Sequence, residues 1–433
     1  MRLTPIAMTG SLGITPLSVG DRRAVPPRNW AWRLLTSCAR LESGHTPSRY
    51  HPEWWGGQIP WISLTDIREL DGKIAQETKE YTNEAGIANS AARVLPAGTV
   101  VLSRTASVGF VTIMGREMAT SQDFVNWVCG PDLDPRFLAY LFRASRAYLR
   151  SLSSGAIHQT IYMPTVEAFE VCIPDLTDQK RIVCSLDEQV AAVEQARAAA
   201  EAQLEAAKAF PVEWARSVFQ HPEQIGARSL SLRDLSNAPD AFSDGPFESN
   251  LKTEHYTSTG ARVVRLQNIG RGEFLDADKA YVSFEHFGHL ERHHVQSGDV
   301  VVAALGDGAR PVGRACMVPN NFGPGLVKAD CFRVRLPQDV ILPEYLVAYL
   351  NSPESLRRVS ELMRGATRPR VNLEMLRQLV VPVPSLAVQR ELLAALHGRS
   401  ACALMIQAAG EHRLRAIAAL PAALLRWAFG GEL

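Results

Sequence analysis

Ile173-Pro-Asp-Leu-Thr-Asp-Gln-Lys-Arg-Ile182 returns 210 residues later as Val383-Pro-Ser-Leu-Ala-Val-Gln-Arg-Glu-Leu392, and the relation between the two stretches decides the architecture. Self-similarity at a fixed offset reports a duplicated structural unit before any element is assigned. The frame runs on without a gap: Leu186 falls on Leu396, Leu204 on Leu414, Phe210-Pro211 on Leu420-Pro421 and Phe219 on Phe429. Upstream, Gly155-Ala156 falls on Gly365-Ala366. Weaker matches with small insertions precede it: Ile59 to Ile67 resembles Ala261 to Ile269, and Gly98-Thr-Val-Val resembles Gly298-Asp-Val-Val. Each copy is therefore a variable globular part followed by a better-matched helix.

From Asp178 to Phe210, apolar residues recur at 182, 186, 190, 193, 204 and 207 with no Gly or Pro between them. That spacing predicts a long amphipathic helix with a narrow seam. The second copy repeats the seam at Leu392, Leu396, Ala403, Leu414, Ile417 and Leu420, with Gly398 and Gly410 in its middle, each weakening it by roughly 1 kcal/mol relative to Ala. Thirty-three residues at 1.5 Å each make roughly 50 Å, longer than a small domain is wide. Much of the seam therefore needs a partner outside its own globule, and pairing of the two helices supplies it. Ile182, Leu186, Val193 and Leu204 would face Leu392, Leu396, Leu414 and Ile417. The alternative is that each helix packs on its own domain as an ordinary core helix. Pro211 and Pro421 are expected to start a new turn or kink both helices alike. Asp178 suits an N-cap of the first.

The 433 residues make two or three domains, 46% hydrophobic and able to bury full cores. With 46 basic against 45 acidic residues no global positive field exists, so any nucleic-acid surface must be local. Only seven of the basic residues are Lys. The Arg excess either suits bidentate contacts to phosphate and guanine or reflects a GC-rich genome. The seven Cys form no C-x-x-C pair, which indicates neither a zinc ribbon nor a disulfide framework and fits a reducing cytosol. No run of eighteen apolar residues is present, and Pro5, Gly10, Gly13 and Pro16 break the first nineteen, which excludes a secretory core there. Residues 1–27 read as a loose tail.

Within the globular parts, Thr99 to Ser103, Ser107 to Met114, Phe124 to Cys129, Arg262 to Leu266, Asp299 to Ala304 and Cys331 to Leu336 are short β-branched runs bounded by Gly, Pro or Asp. Helical patterns follow at Pro135 to Leu149 and Pro343 to Met363. The fold class is α+β: two mixed α/β domains joined by two long helices in an antiparallel coiled coil, with a pseudo-twofold internal duplication.

Trp30-Ala-Trp32-Arg33-Leu34, Gly44-His-Thr46-Pro47-Ser48 and Glu53-Trp54-Trp55-Gly56-Gly57-Gln58-Ile59-Pro60-Trp61-Ile62-Ser63 with Asp66-Ile67 resemble the opening of a recognition domain of type I restriction-modification specificity subunits. Leu95-Pro-Ala-Gly98, Ala106-Ser107-Val108-Gly109, Ile173 to Gln179 and the final Ala428-Phe429-Gly430-Gly431-Glu432-Leu433 are similar too. The second copy lacks the Trp-rich opening and carries Val388 where the first has Asp178. The resemblance implies target recognition domains at 28–175 and 223–384 and spacer helices at 176–222 and 385–433. It implies that each domain reads one half of a split, asymmetric site on double-stranded DNA. Major-groove faces repeat every 34 Å or so, and the helices would set the separation of the two readers. It further implies two modification subunits that bring S-adenosylmethionine and methylate adenine, restriction and motor subunits that cut, and no cofactor or metal in this chain, which would act in the cytoplasm without a membrane.

Residues for contacting DNA are sought among Arg and polar side chains in loops: Lys73, Arg104, Ser107, Gln122 and His158 in the first copy, and Arg310, Arg314, Lys328, Arg364, Arg368 and Arg370 in the second. The stretch Arg364-Gly-Ala-Thr-Arg368-Pro-Arg370 is the densest basic run and faces His158-Gln159-Thr160 in the repeat frame. Arg contacts to phosphate would position a domain, whereas sequence is read at base edges. Any one of these side chains can equally be a solvated surface charge. There is no G-x-x-x-x-G-K-[ST] loop and no Asn-Pro-Pro-aromatic tetrapeptide, which argues against a P-loop motor and an adenine methyltransferase. His286, His289, His293 and His294 are spaced as metal ligands would be, but interleaved Glu285, Glu291 and Arg292 read as an exposed polar helix face. Two other classes remain: a recognition subunit of a related defence or methylation-only system, and a coiled-coil scaffold that ignores DNA.

Overall fold

The computed structural model describes residues 16–22, 26–154, 159–246, 250–306, 310–363 and 370–429. The chain forms two compact units, Met1–Ala200 with Arg413–Leu433, and Glu201–His412. Both boundaries fall inside the long helices, so each unit holds part of both.

Unit 1 is built on a five-stranded sheet in the order Ala39–Ser43, Phe124–Cys129, Val100–Ser103, Val111–Met114, Ile74–Ala75. Val-Val-Leu-Ser at 100–103 is buried throughout, as a strand covered on both faces must be. Helix Pro135–Ala144 packs on the sheet; Pro135 opens it and Asp134 accepts from Arg136 N at 2.8 Å and Phe137 N at 3.1 Å. Leu17–Ser18, within the stretch read from sequence as a loose tail, instead forms a strand paired with Glu170–Ile173, with Leu17 fully buried. Unit 2 repeats the plan with a four-stranded sheet in the order Phe242–Ser243, Cys331–Val334, Val300–Ala303, Ala315–Met317. Helix Pro343–Leu350 covers it, and a separate five-stranded sheet runs through Ala261–Val264 and Gly325–Val327.

Several expected boundaries move for local reasons. The strand predicted from Ser107 begins at Val111, because Ala106 (φ 56°) and Gly109 (φ 85°) turn the chain first. The helices predicted over Pro135 to Leu149 and Pro343 to Met363 each break in two, at Ser145 and at Ser352-Pro353. Pro353 cannot continue a helix but opens a new one under the Ser352 cap. The four histidines share no helix face: His286 lies on a short helix, His293 on a 3-10 turn and His294 on a strand, each ring bonded to a backbone carbonyl.

The long helices span Leu176–Gln220 and Leu386–Phe429. Pro211 and Pro421 lie inside them and start no new element, which excludes the first of the two outcomes expected at these prolines. Asp178 is not the cap either. Asp175 accepts from Asp178 N at 2.9 Å, and Ser385 accepts from Val388 N at 3.4 Å. In unit 1 the helices run antiparallel: Ile182 and Leu186 share a core with Leu425 and Phe429, and further along Val193 and Ala200 meet Ile417 and Leu414. In unit 2 the same sense holds, with Gly410 against Leu204 and the Arg399 guanidinium 4.8 Å from the Trp214 ring. Leu204, Leu392, Leu396 and Leu414 of the expected seam are only partly buried. The second long helix alone among the described residues is long and apolar enough to cross a membrane, with a mean hydropathy of 1.2 over its most apolar window; part of that apolarity is the seam.

Candidate nucleic-acid interface

In unit 1, the ends of strands Ala39–Ser43, Val100–Ser103 and Phe124–Cys129 carry loops that meet at one edge. Gly44 passes flush against Thr120 and Ser121, where a Cβ would lie 2.0 Å from the Ser121 carbonyl. His45 N then donates to Thr120 O at 2.9 Å, and the Thr46 hydroxyl bonds the Gln122 side chain. Arg104 donates to Gln122 O at 2.9 Å and Ile161 O at 3.4 Å, while Ala106 N donates to Gln159 O at 3.0 Å. Thr46, Arg104, Thr105, Gln122, Gln159 and Thr160 thus converge.

Unit 2 builds this edge with the same backbone bonds. Arg104 N to Asp123 O (2.9 Å) becomes Ala304 N to Asp330 O (2.8 Å), and Ile161 N to Arg104 O (2.9 Å) becomes Val371 N to Ala304 O (3.0 Å). The bridge Thr105 to Thr160 becomes Leu305 to Arg370. Gly245 packs on Lys328 as Gly44 packs on Ser121. The turn closed by Gly109 N to Ser103 O is closed by Gly313 N to Ala303 O, four residues longer. The frame is shared and the side chains are not: Lys328 and Arg370 stand where unit 1 has Ser121 and Thr160. Lys328 is exposed, and Arg370, with a side chain 60% exposed, pairs with Asp330 at 2.7 Å. Cations exposed on an edge of this kind can neutralise phosphates, and a turn of different length and sequence can offer different groups to base edges.

Of the residues singled out from sequence, Arg104 and Gln122 meet at the first edge, with Ser107 buried in the adjoining turn. Lys328 and Arg370 lie at the second, and the half-buried Arg310 lies in its longer turn with its carbonyl beside Gly306. His158, Arg364 and Arg368 lie outside the described residues. Lys73 stands apart, beside the edge strand Ile74–Ala75 on the far side of the sheet. Arg314 is 2% exposed and donates to the carbonyls of Ile269, Leu305, Pro311 and Leu266 at 2.7 to 3.1 Å. It holds the loops together from beneath, and no spacing in the sequence separates that role from a surface cation. Thr46 and Gln159 were missed, although Gly44 and the Gln159-Thr160 repeat position pointed at them. Behind the second edge, burial pushes the Cys316 thiol up to about 12 and raises Cys331 further. Among the described residues no three His, Cys, Asp or Glu side chains gather to hold a metal.

Two α+β heads with one backbone plan and unlike edges, each seated on antiparallel helix ends, define a duplicated two-headed protein. Residues 27–205 match the family described as type I restriction modification DNA specificity domain. The chain is similar to the MjaIX specificity subunit of Methanocaldococcus jannaschii, 26% identical over 37% of this chain and 38% of that protein. It is also similar to the EcoKI specificity subunit of Escherichia coli K12, 23% identical over 69% and 65%. The matches thus span less than two thirds of these relatives' own length. The fold is that of the HsdS subunit from Thermoanaerobacter tengcongensis (TM-score 0.59, 17% identity, covering 95% of this chain and 99% of that one). It is equally that of a chain from a type I R-M system structure (TM-score 0.61, 18% identity, 95% and 100%).

Proposed function

We propose that this chain supplies DNA sequence specificity to a type I restriction-modification complex. Its two target recognition domains, 28–175 and 223–384, each read one half of a split, asymmetric site on double-stranded DNA. The spacer helices at 176–222 and 385–433 dock two modification subunits, which bring S-adenosylmethionine, and through them the restriction and motor subunits. The chain works in the cytoplasm, binds no cofactor and carries out no bond-breaking step itself.

The observation that supports this reading is the edge built twice from the same backbone bonds with different side chains. A conserved frame under varied contact groups is what two readers of unlike half-sites require. Sequencing methylated adenines in a host that carries this chain with its partner subunits tests the proposal. A motif of two short unequal halves around an unread gap is expected; a continuous motif, or methylation unchanged when this gene is deleted, overturns it.

A further inference from the structure

The two units differ in one place where their frames agree. Helices Pro135–Ala144 and Pro343–Leu350 are in register, because Asp134 N and Leu342 N, each preceding the first helical proline, donate to the corresponding Gln179 and Gln389. Tyr140 and Ala348 therefore occupy the same position, five residues after that proline. Eight residues after the glutamines, Asp187 in unit 1 corresponds to His397 in unit 2; four after the helix prolines, Leu425 corresponds to Ala215.

In unit 1 this position is filled. Tyr140 lies 9% exposed with its hydroxyl donating to Asp187 at 2.7 Å, Leu425 is buried beside the same core, and Arg143 lies under Gly72. Only about 40 Å³ of space remains. In unit 2 the ring and the leucine are both replaced by alanine, and the corresponding space opens to about 470 Å³. Its walls include Ala215, Met317, Val347, Ala348 and Leu396. The compensating enlargements, Ala139 to Val347 and Val183 to Leu393, do not close it. Close-packed interiors do not keep a ring-sized gap without cost, and an apolar pocket with a few polar groups at its mouth is the usual form of a binding site.

We propose that this cavity is a receptor site for a phenol ring supplied from outside the chain. Unit 1 shows the shape the frame accepts, a para-substituted phenol entering from the helix side. In unit 2 the exposed Glu344 and His397 stand where Arg136 and Asp187 stand in unit 1; they are the polar groups a hydroxyl meets. Asn351 is already engaged, bonding both backbone groups of Ala315 and the Val347 carbonyl. A ring seated there touches helix Pro343–Leu350 and both long helices of unit 2 at once. The inference rests on the comparison of the two units and is independent of the DNA reading.

Calorimetric titration of the full chain with p-cresol tests it. One equivalent is expected to bind saturably, Ala348→Tyr is expected to weaken binding at least ten-fold, and Ala215→Leu, which fills the space from the other wall, is expected to do the same. Tyr140→Ala opens the matching space in unit 1 and is expected to raise the count to two. N-acetyltyrosinamide separates the sources: binding equal to that of p-cresol points to a tyrosine of a partner polypeptide, and its exclusion to a free small phenol. No saturable binding by the unaltered chain, or binding unchanged in both filled variants, overturns the proposal.

Discussion

Gln179 and Gln389, 210 residues apart, are both fully buried and make the same three hydrogen bonds. Each side-chain oxygen accepts from the backbone N–H that precedes a helical proline, Asp134 at 2.9 Å and Leu342 at 2.8 Å. Each amide nitrogen donates to two carbonyls, Asp132 and Pro174 in one unit and Val340 and Pro384 in the other. The bonds tie the start of each long helix to the start of the helix that covers its sheet. Replacement by Leu removes three hydrogen bonds, one of them buried and two part-buried, so Gln179→Leu or Gln389→Leu should destabilise its own unit by about 3 kcal/mol. Urea unfolding followed by a probe in each unit measures this; a loss below about 1 kcal/mol would show that water replaces the bonds.

Leu186 is 1% exposed in the core of unit 1, whereas its repeat partner Leu396 is half-buried and borders the open cavity of unit 2. Leu186→Ala should therefore cost about 3 kcal/mol and Leu396→Ala clearly less, since solvent already reaches the second site. Equal losses in denaturant titration would contradict the difference in packing. Leu186→Arg or Leu396→Arg is expected to abolish assembly with partner subunits, read by co-purification.

Lys328 is exposed and Arg314 is buried among carbonyls. Lys328→Ala should leave the melting temperature unchanged and lower the slope of log affinity for DNA against log salt by about 1. Arg314→Ala should instead unfold unit 2 at lower temperature, since it leaves four loop carbonyls unpaired. Calorimetry beside DNA binding at several salt concentrations distinguishes the two roles.

Glu354 accepts from Arg357 at 2.8 and 3.0 Å and from Arg358 at 2.7 Å, and the Arg357 bonds are the main reason its carboxyl is held below the usual carboxylate range. A carboxylate whose folded pKa lies below its unfolded value stabilises the fold above the unfolded value, and the contribution disappears as pH falls through the folded one. Glu354→Gln should lower stability at neutral pH and leave the difference from the unaltered chain vanishing in acid. A difference that persists at low pH would assign the effect to packing.

Cys184 and Cys402 are exposed on the long helices, while burial pushes the Cys129 and Cys316 thiols up to about 12. A disulfide reagent at mildly alkaline pH should therefore titrate two thiols quickly and the remainder only on unfolding. Fast reaction of more than two would indicate that a core is open.

The duplication, the antiparallel pairing and the α+β class were legible because a repeat frame and a seam are properties of residue spacing. Helix ends were less so. Asp178 fits the composition of a cap, yet Asp175 stands one residue before the first helical position and takes the bond. Pro211 was expected to start a new turn or kink the helix, and no new element starts there because the helix continues through it. The candidate interface was half legible. Gln122 and Arg104 were singled out because polar residues between Gly and strand residues sit on loops, whereas the burial of Arg314 depends on four carbonyls from two loops that only the folded chain brings together.

Leu425, Ala428 and Phe429 belong to the core of unit 1, where the Phe429 ring lies 5.3 Å from Phe137 and 6.2 Å from Trp30. During synthesis the first head therefore emerges with its hydrophobic floor exposed and stays incomplete while the whole second head is translated. Release of residues 425–429 is the event that seals it. A ribosome stalled between the two heads would hold a sticky intermediate, and chaperone demand should fall sharply once that last turn is free.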